Sequence, residues 1–209
     1  MVLTQKATFL SMKRSLAIAI LGALLLLSTA PSAGASTVAP STWAAKFCGA
    51  LATFQQRLSS DGTQADAVLS GNITNLTQAK TTLARFMGRA VKDTDTAITS
   101  LKRAGTPSVP NGSKIAGQFM TGFQNARSLF ASAKTQAQRL PTKTLSGFEN
   151  GTKKVTADLN KGAQGLSARF GNIRQLDTNG KISAALHAEP TCAFLQGSSQ
   201  QSQTTTSVP

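Results

Sequence analysis

The chain carries few groups able to do acid, base or nucleophilic chemistry. His187 is the sole histidine, and tyrosine is absent. Nucleophilic catalysis sets a nucleophile beside a base and an orienting third group. His187 falls near the end of a short predicted helix, where a favourable charge at the helix C-terminus is its better reading. Asp93 and Asp95 are two positions apart on another predicted helix, so their carboxylates point in different directions and make no acid–base pair. Asp158 lies between Lys154 and Lys161 at helical spacing, the pattern of a solvated ion-pair face. A hydrolase would need the fold to gather Asp158, Glu149 or Asp177 in one cleft. Phosphate-cradling loops place glycines after a strand, and here the glycines fall within predicted helices. Zinc would have to be held by His187 with only Cys48 and Cys192, which is too few ligands. A non-enzymatic chain, with no cofactor and no metal, is what these residues predict.

Positive charge is the more informative feature. The sequence has 22 Lys and Arg against 8 Asp and Glu, a formal charge of +14. Such a field favours anionic partners through salt-sensitive attraction. Arg85, Arg89 and Lys92 recur at i, i+4 and i+7 on one predicted helix, off its Leu83, Met87, Ala90 stripe, and Lys153, Lys154 and Lys161 lie on a later one. Rows of this kind can grip an anionic cell-envelope polymer or lipid head groups. A dedicated nucleic-acid binder would also display aromatics for base stacking, whereas the phenylalanines here take core positions. The alternative is a protein-interaction or structural module whose charge is only solubilising.

The elements that must carry these residues are helices. Trp43, Phe47, Leu51, Phe54 and Leu58 step by three and four after Ser41, a good N-cap. Residues 59–75 lose that pattern and contain Asp61-Gly62 and Gly71-Asn72, which predicts a linker with at most a helical turn at 65–69. Leu76, Leu83, Met87, Ala90, Thr94, Ile98 and Leu101 then mark a long helix that Gly105 stops. Ile115, Phe119, Phe123, Ala126, Phe130, Ala133, Ala137 and Leu140 mark a third, ended by Pro141. The fourth runs from Thr144 through Leu145, Phe148, Val155 and Leu159 to Leu166, Phe170, Ile173 and Leu176. Within it, Gly147, Gly151, Gly162, Gly165 and Gly171 predict close approach of a neighbouring helix, with a hinge near Gly162–Gly165 as the competing reading. A short fifth segment carries Ile182 and Leu186. The predicted fold is all-α and four-helix-bundle-like, with long antiparallel helices and a short N-terminal helix tied to the C-terminal segment by a disulfide.

That disulfide is expected between Cys48 and Cys192, because the chain looks built for export to an oxidising compartment; two separate buried thiols are the alternative. Lys6, Lys13 and Arg14 precede the apolar run Ser15–Ala30, which is shorter than the ~20 residues of a membrane span. Pro31 breaks the run before Ala33-x-Ala35, a peptidase site. Residues 1–35 therefore read as a signal peptide, with Met12 able to open a shorter one. Residues 36–196 read as the helical domain and the Ser/Gln/Thr-rich 197–209 as a disordered tail. No transmembrane segment is expected in the mature chain, and no cysteine at the cleavage site invites a lipid. Secretion, or association with the cell envelope from outside, follows. Asn72, Asn75, Asn111 and Asn150 open glycosylation-type tripeptides, which arise easily by chance in so Ser/Thr-rich a chain.

The segment LKRAGTPSVPNGSKIAGQFMTGF (Leu101–Phe123), with Trp43 and Cys48 upstream and AEPTCAFL (Ala188–Leu195) near the end, resembles small secreted helical proteins of actinobacteria. The resemblance covers most of the mature chain and implies an extracytoplasmic helical protein. Some members are lipidated, and this chain lacks their lipid-attachment cysteine. The shared motifs are a turn and two cysteine contexts, so no functional residue carries over.

Overall fold

Asn75 starts helix α2 (Leu76–Ala104) as its side chain accepts a hydrogen bond from the Gln78 amide at 2.9 Å, satisfying one of the orphan donors of the first turn. Gly105 stops it with φ of 79°, and an added Cβ there would lie 2.7 Å from the Ser36 carbonyl oxygen. Helices α3 (Gly112–Gln138), α4 (Leu145–Leu176) and α5 (Lys181–Ala188) follow, with a 3₁₀ turn at Pro190–Cys192. The computed structural model describes residues 36–69 and 75–193, and within α4 it leaves the side chains of 166–173 undescribed. The predicted signal peptide, the tail at 197–209 and the glycines of Gly71-Asn72 and Gly171 lie outside what is described.

Helix α1 departs from expectation. It spans Pro40–Leu69, 30 residues, and runs straight through the linker predicted at 59–75. Tertiary contacts override the Asp61-Gly62 turn signal. Arg89 of α2 sits 2.8 Å from the Asp61 carboxylate, and Ala65 is buried. The N-terminal helix is therefore as long as the other three.

Paired residues give the packing direction. Between α1 and α2, Arg57 meets Asp93 and Asp61 meets Arg89. Between α2 and α3, Asp95 meets Arg127 and Gly88 faces Lys134. Between α3 and α4, Gln136 meets Asp158 and Leu129 faces Gly162. In each pair one number rises as the other falls, so neighbours are antiparallel, as in an up-down bundle. Leu140 crowds Gly151 and Leu129 crowds Gly162 so closely that a Cβ would clash with each, which is the close approach the glycines of α4 predict. Gly165 meets nothing within 4 Å and takes no part in it.

The main core lies at the end where α1 begins. Trp43, Phe47, Leu101, Ile115, Phe123 and Ile182 are buried there, and the Cys48–Cys192 disulfide ties α1 to the C-terminal turn with Cα atoms 5.2 Å apart. It closes a loop of 144 residues, worth roughly 4 to 5 kcal/mol on the chain-entropy model. Two smaller clusters, around Ala79, Ala137, Leu140 and Phe148 and around Met87, Ala133 and Val155, join α4 to α2 and α3. Leu145, placed in the core stripe by its spacing, is 52% exposed on the first turn of α4.

A short strap completes the main-core end. Thr37–Val38 (β1) pairs in parallel with Thr106–Pro107 (β2), through Thr106 N–H to Ser36 O at 3.2 Å and Ser108 N–H to Val38 O at 2.8 Å. The Trp43 indole N–H adds a bond to Gly105 O at 3.2 Å. Gly112 opens α3 directly against the Pro107 carbonyl oxygen, where any Cβ would collide with backbone. The Asn111 amide, in a left-handed turn, donates to Leu176 O at 3.1 Å and so ties the start of α3 to the end of α4.

Candidate functional site

The carboxylates weighed for acid–base work are kept apart. Asp93 turns toward α1 and Arg57 at 3.5 Å, while Asp95 turns toward α3 and Arg127, the divergence expected of positions two apart. Asp158 does not sit in an ion pair with Lys154 and Lys161; it reaches across to α3 and accepts a hydrogen bond from Gln136 Nε2 at 3.0 Å. Glu149 lies nine residues earlier on α4, about 13 Å along the axis. Asp177, in the turn between α4 and α5, is buried and committed to structure. Its carboxylate accepts from Ile182 N–H at 3.1 Å, and from Ser183 N–H and Oγ, each at 2.8 Å. Burial alone would push this carboxyl up, but the Ser183 and Ile182 donors outweigh burial and hold it below the ordinary carboxylate range. The fold gathers Asp158, Glu149 and Asp177 in no common cleft. His187 is exposed near the end of α5.

The basic rows fare differently. Arg85 and Lys92 are exposed on α2 and join no acidic partner among the described residues. Arg89 leaves the row. Its Nε approaches Asp61 at 2.8 Å, too poorly aligned for a hydrogen bond, and its charge is spent holding α1 to α2. On α4, Lys153, Lys154 and Lys161 are all exposed. Lys154 and Lys161, seven residues apart, share one flank, and Lys153 falls about a quarter-turn away, so the three form no single row.

The structure puts other cations beside Arg85 and Lys92. Arg103 follows Arg85 by 18 residues, five whole turns, and therefore stands on the same outward face of α2. This face borders a groove of about 440 Å³ between α1 and α2. Lys46, Thr53 and Arg57 line the α1 side, Thr96, Ser100 and Arg103 the α2 side, with Ala50, Phe54 and Ala97 beneath. Arg57 and Asp93 pair at one end of the groove. The α1–α2 register that sets Arg57 opposite Asp93 sets Lys46 opposite Ala104, so Lys46 and Arg103 flank the other end.

Sequence reasoning placed none of Lys46, Arg57 and Arg103 in a binding row; Arg103, with Lys102, reads from the sequence only as a charge suited to the C-terminal end of α2. The available signal was the spacing of 11 from Lys46 to Arg57 and from Lys92 to Arg103, three turns in each case, instead of the i, i+4 step. Joining the two rows requires the helix register, which no single helix contains.

Among the described residues no helix is long and apolar enough to cross a membrane. No protein-family model matches the chain, and neither does any curated protein or solved structure.

Proposed function

We propose that this chain is an exported, non-enzymatic helical binding protein that acts at or outside the cell envelope and holds an anionic polymer through its basic surface. One observation carries the reading: Arg85, Lys92 and Arg103 line one face of α2, and none has an acidic partner among the described residues. Unpaired like charges kept on one face raise the local potential, which draws in and orients a polyanion. Residues 1–35 support export in their charge-then-apolar order, and the Cys48–Cys192 disulfide suits an oxidising compartment.

Chromatography of the purified protein on immobilised heparin across a salt gradient tests the polymer reading. Retention at low salt that falls steadily as salt rises is the expected result, since each neutralised anion releases counterions. Absence of retention, or retention that ignores salt, overturns it in favour of an interaction module whose charge only keeps it soluble.

A further inference from the structure

We infer that the α1–α2 groove is a binding site for an acidic carbohydrate, with the sugar's sulfate or carboxylate held between Lys46 and Arg103 and its hydroxyls on Thr53, Thr96 and Ser100. The inference rests on the proposed polyanion reading and names its substrate class and its seat.

Charge is the first argument. Three cations line the groove against one carboxylate, Asp93, which is committed to Arg57 at 3.5 Å. Lys46 and Arg103 thus stand at the opposite end with like charges and no acidic partner among the described residues. An anion placed between them removes their repulsion and gains charge-assisted hydrogen bonds from both.

The hydroxyls supply the second. Thr53 Oγ1 donates to Gly49 O at 2.9 Å, and Thr96 Oγ1 donates to Lys92 O at 3.1 Å. Each proton is therefore used within its own helix, and the oxygen lone pairs are left to accept. A ligand rich in O–H donors matches such a lining; an acyl chain does not.

Space is the third. Gly49 sits inside α1, where glycine costs about 1 kcal/mol against alanine, yet a Cβ there would meet nothing within 4 Å. Packing does not explain the glycine. Its missing side chain leaves the α1 wall of the groove low. Gly117 and Gly165 have similar room, so it is the flanking charges that mark Gly49 as part of a site.

The rest of the surface argues against other polyanions. Leu145, on α4, is the one exposed large hydrophobic residue among those described. A lipid surface calls for an apolar face to insert, and a single-stranded nucleic acid for exposed aromatic platforms. Lys92 and Arg85 continue the α2 face 11 and 18 residues from Arg103, about 16 and 27 Å along the helix. That reach suits several sugar units in a chain better than one.

The experiment is calorimetric titration of the full, disulfide-bonded protein with a heparin hexasaccharide and, separately, with hexagalacturonate. Three variants are compared: Gly49→Leu, which fills the groove without altering charge, Lys46→Gln/Arg103→Gln, and Lys154→Gln/Lys161→Gln, which removes the same charge on α4. Gly49→Leu should melt no lower than wild type, since leucine is the better helix former. Both groove variants should bind at least one of the two oligosaccharides about tenfold more weakly, and the α4 variant within about threefold of wild type. Which oligosaccharide responds identifies the acid group as sulfate or carboxylate. Unchanged affinity for Gly49→Leu, or equal losses for the groove and α4 pairs, overturns the groove while leaving the polyanion reading in place. Failure of wild type to bind either sugar and to be retained on heparin overturns both. A single-stranded oligonucleotide or phosphatidylglycerol vesicles bound as tightly, and lost on Gly49→Leu, would overturn the carbohydrate assignment.

Discussion

At the end of the bundle where α1 begins, Trp43 stacks on Phe47 with ring centroids 4.8 Å apart, Phe119 tilts against both, and a disulfide and a two-residue strand pair lie alongside. At the other end the buried residues mix three alanines, Ala79, Ala133 and Ala137, with Leu140, Phe148, Met87 and Val155, and glycines of α4 let α3 come close. Large rings remove much apolar area from water per residue, and the covalent link restricts the unfolded chain. Close-packed small residues gain contact through backbone proximity and forgo that area. The stapled end is also where Lys46 and Arg103 line the groove, so the proposed site lies beside the covalent link.

Reducing the Cys48–Cys192 bond tests this comparison with the largest expected effect. Loss of the 144-residue closure should lower unfolding stability by roughly 4 to 5 kcal/mol, read from urea titrations followed by both Trp43 fluorescence and far-ultraviolet circular dichroism. Coincident transitions would mean that the two ends unfold as one unit. A fluorescence change preceding the loss of helix would mean that the stapled end depends on its staple while the rest stands alone. Gly112→Ala comes next. Its Cβ would strike the Pro107 carbonyl, which belongs to the strap and cannot rotate aside, so a loss of about 2 kcal/mol is expected from overpacking. Tolerance of alanine there would show the strap to be looser than the aromatic cluster it adjoins.

Much of this contrast is legible in the sequence, and what is not has identifiable causes. Helices α2, α3 and α4 can be read because their apolar stripes are regular and two strong breakers bound them: Gly105 after α2 and Pro141 after α3. The divergence of Asp93 and Asp95 follows from helical geometry alone. The second half of α1 is not readable, because Asp61-Gly62 is a turn signal until Arg89 on another helix answers it. Arg89 is misassigned for the same reason, its place in a surface row being real in spacing and cancelled by a partner 28 positions away. Leu145 fits the core stripe by number but lies on the first turn of α4, short of the contacts that bury Phe148. The groove escapes notice because half its charges are on each of two helices.

The stapled end also has a pH signature. Asp177 caps α5, which packs on α1 beside the disulfide. Its carboxyl is more acidic in the folded protein than in the unfolded chain. The stabilisation it provides is therefore fully present above the unfolded value of about 3.9 and is lost as pH falls through the lower, folded value. Thermal melts from pH 7 down to pH 2.5 should show Asp177→Asn to be less stable by about 1 kcal/mol at neutral pH, with a shallower decline below about pH 4 than wild type. Parallel declines would remove Asp177 from the acid sensitivity of this end.

The smallest effect should have the opposite sign and belong to the other half of the molecule. Gly165 lies in α4 with no atom within 4 Å of where its Cβ would be, whereas Gly162, one turn earlier, is crowded by Leu129. If both glycines served close packing, alanine at either would be harmful. If they formed a hinge, stiffening either would change motion more than stability. The geometry separates them. Gly165→Ala should stabilise the chain by about 0.5 to 1 kcal/mol through helix propensity alone, and Gly162→Ala should lose part or all of that gain to the Leu129 side chain. Urea midpoints for the two variants, measured against wild type at equal m-value, decide the matter. A destabilised Gly165→Ala would mean that α4 needs its backbone freedom at that turn, which would revive the hinge and make that half of the bundle the moving part.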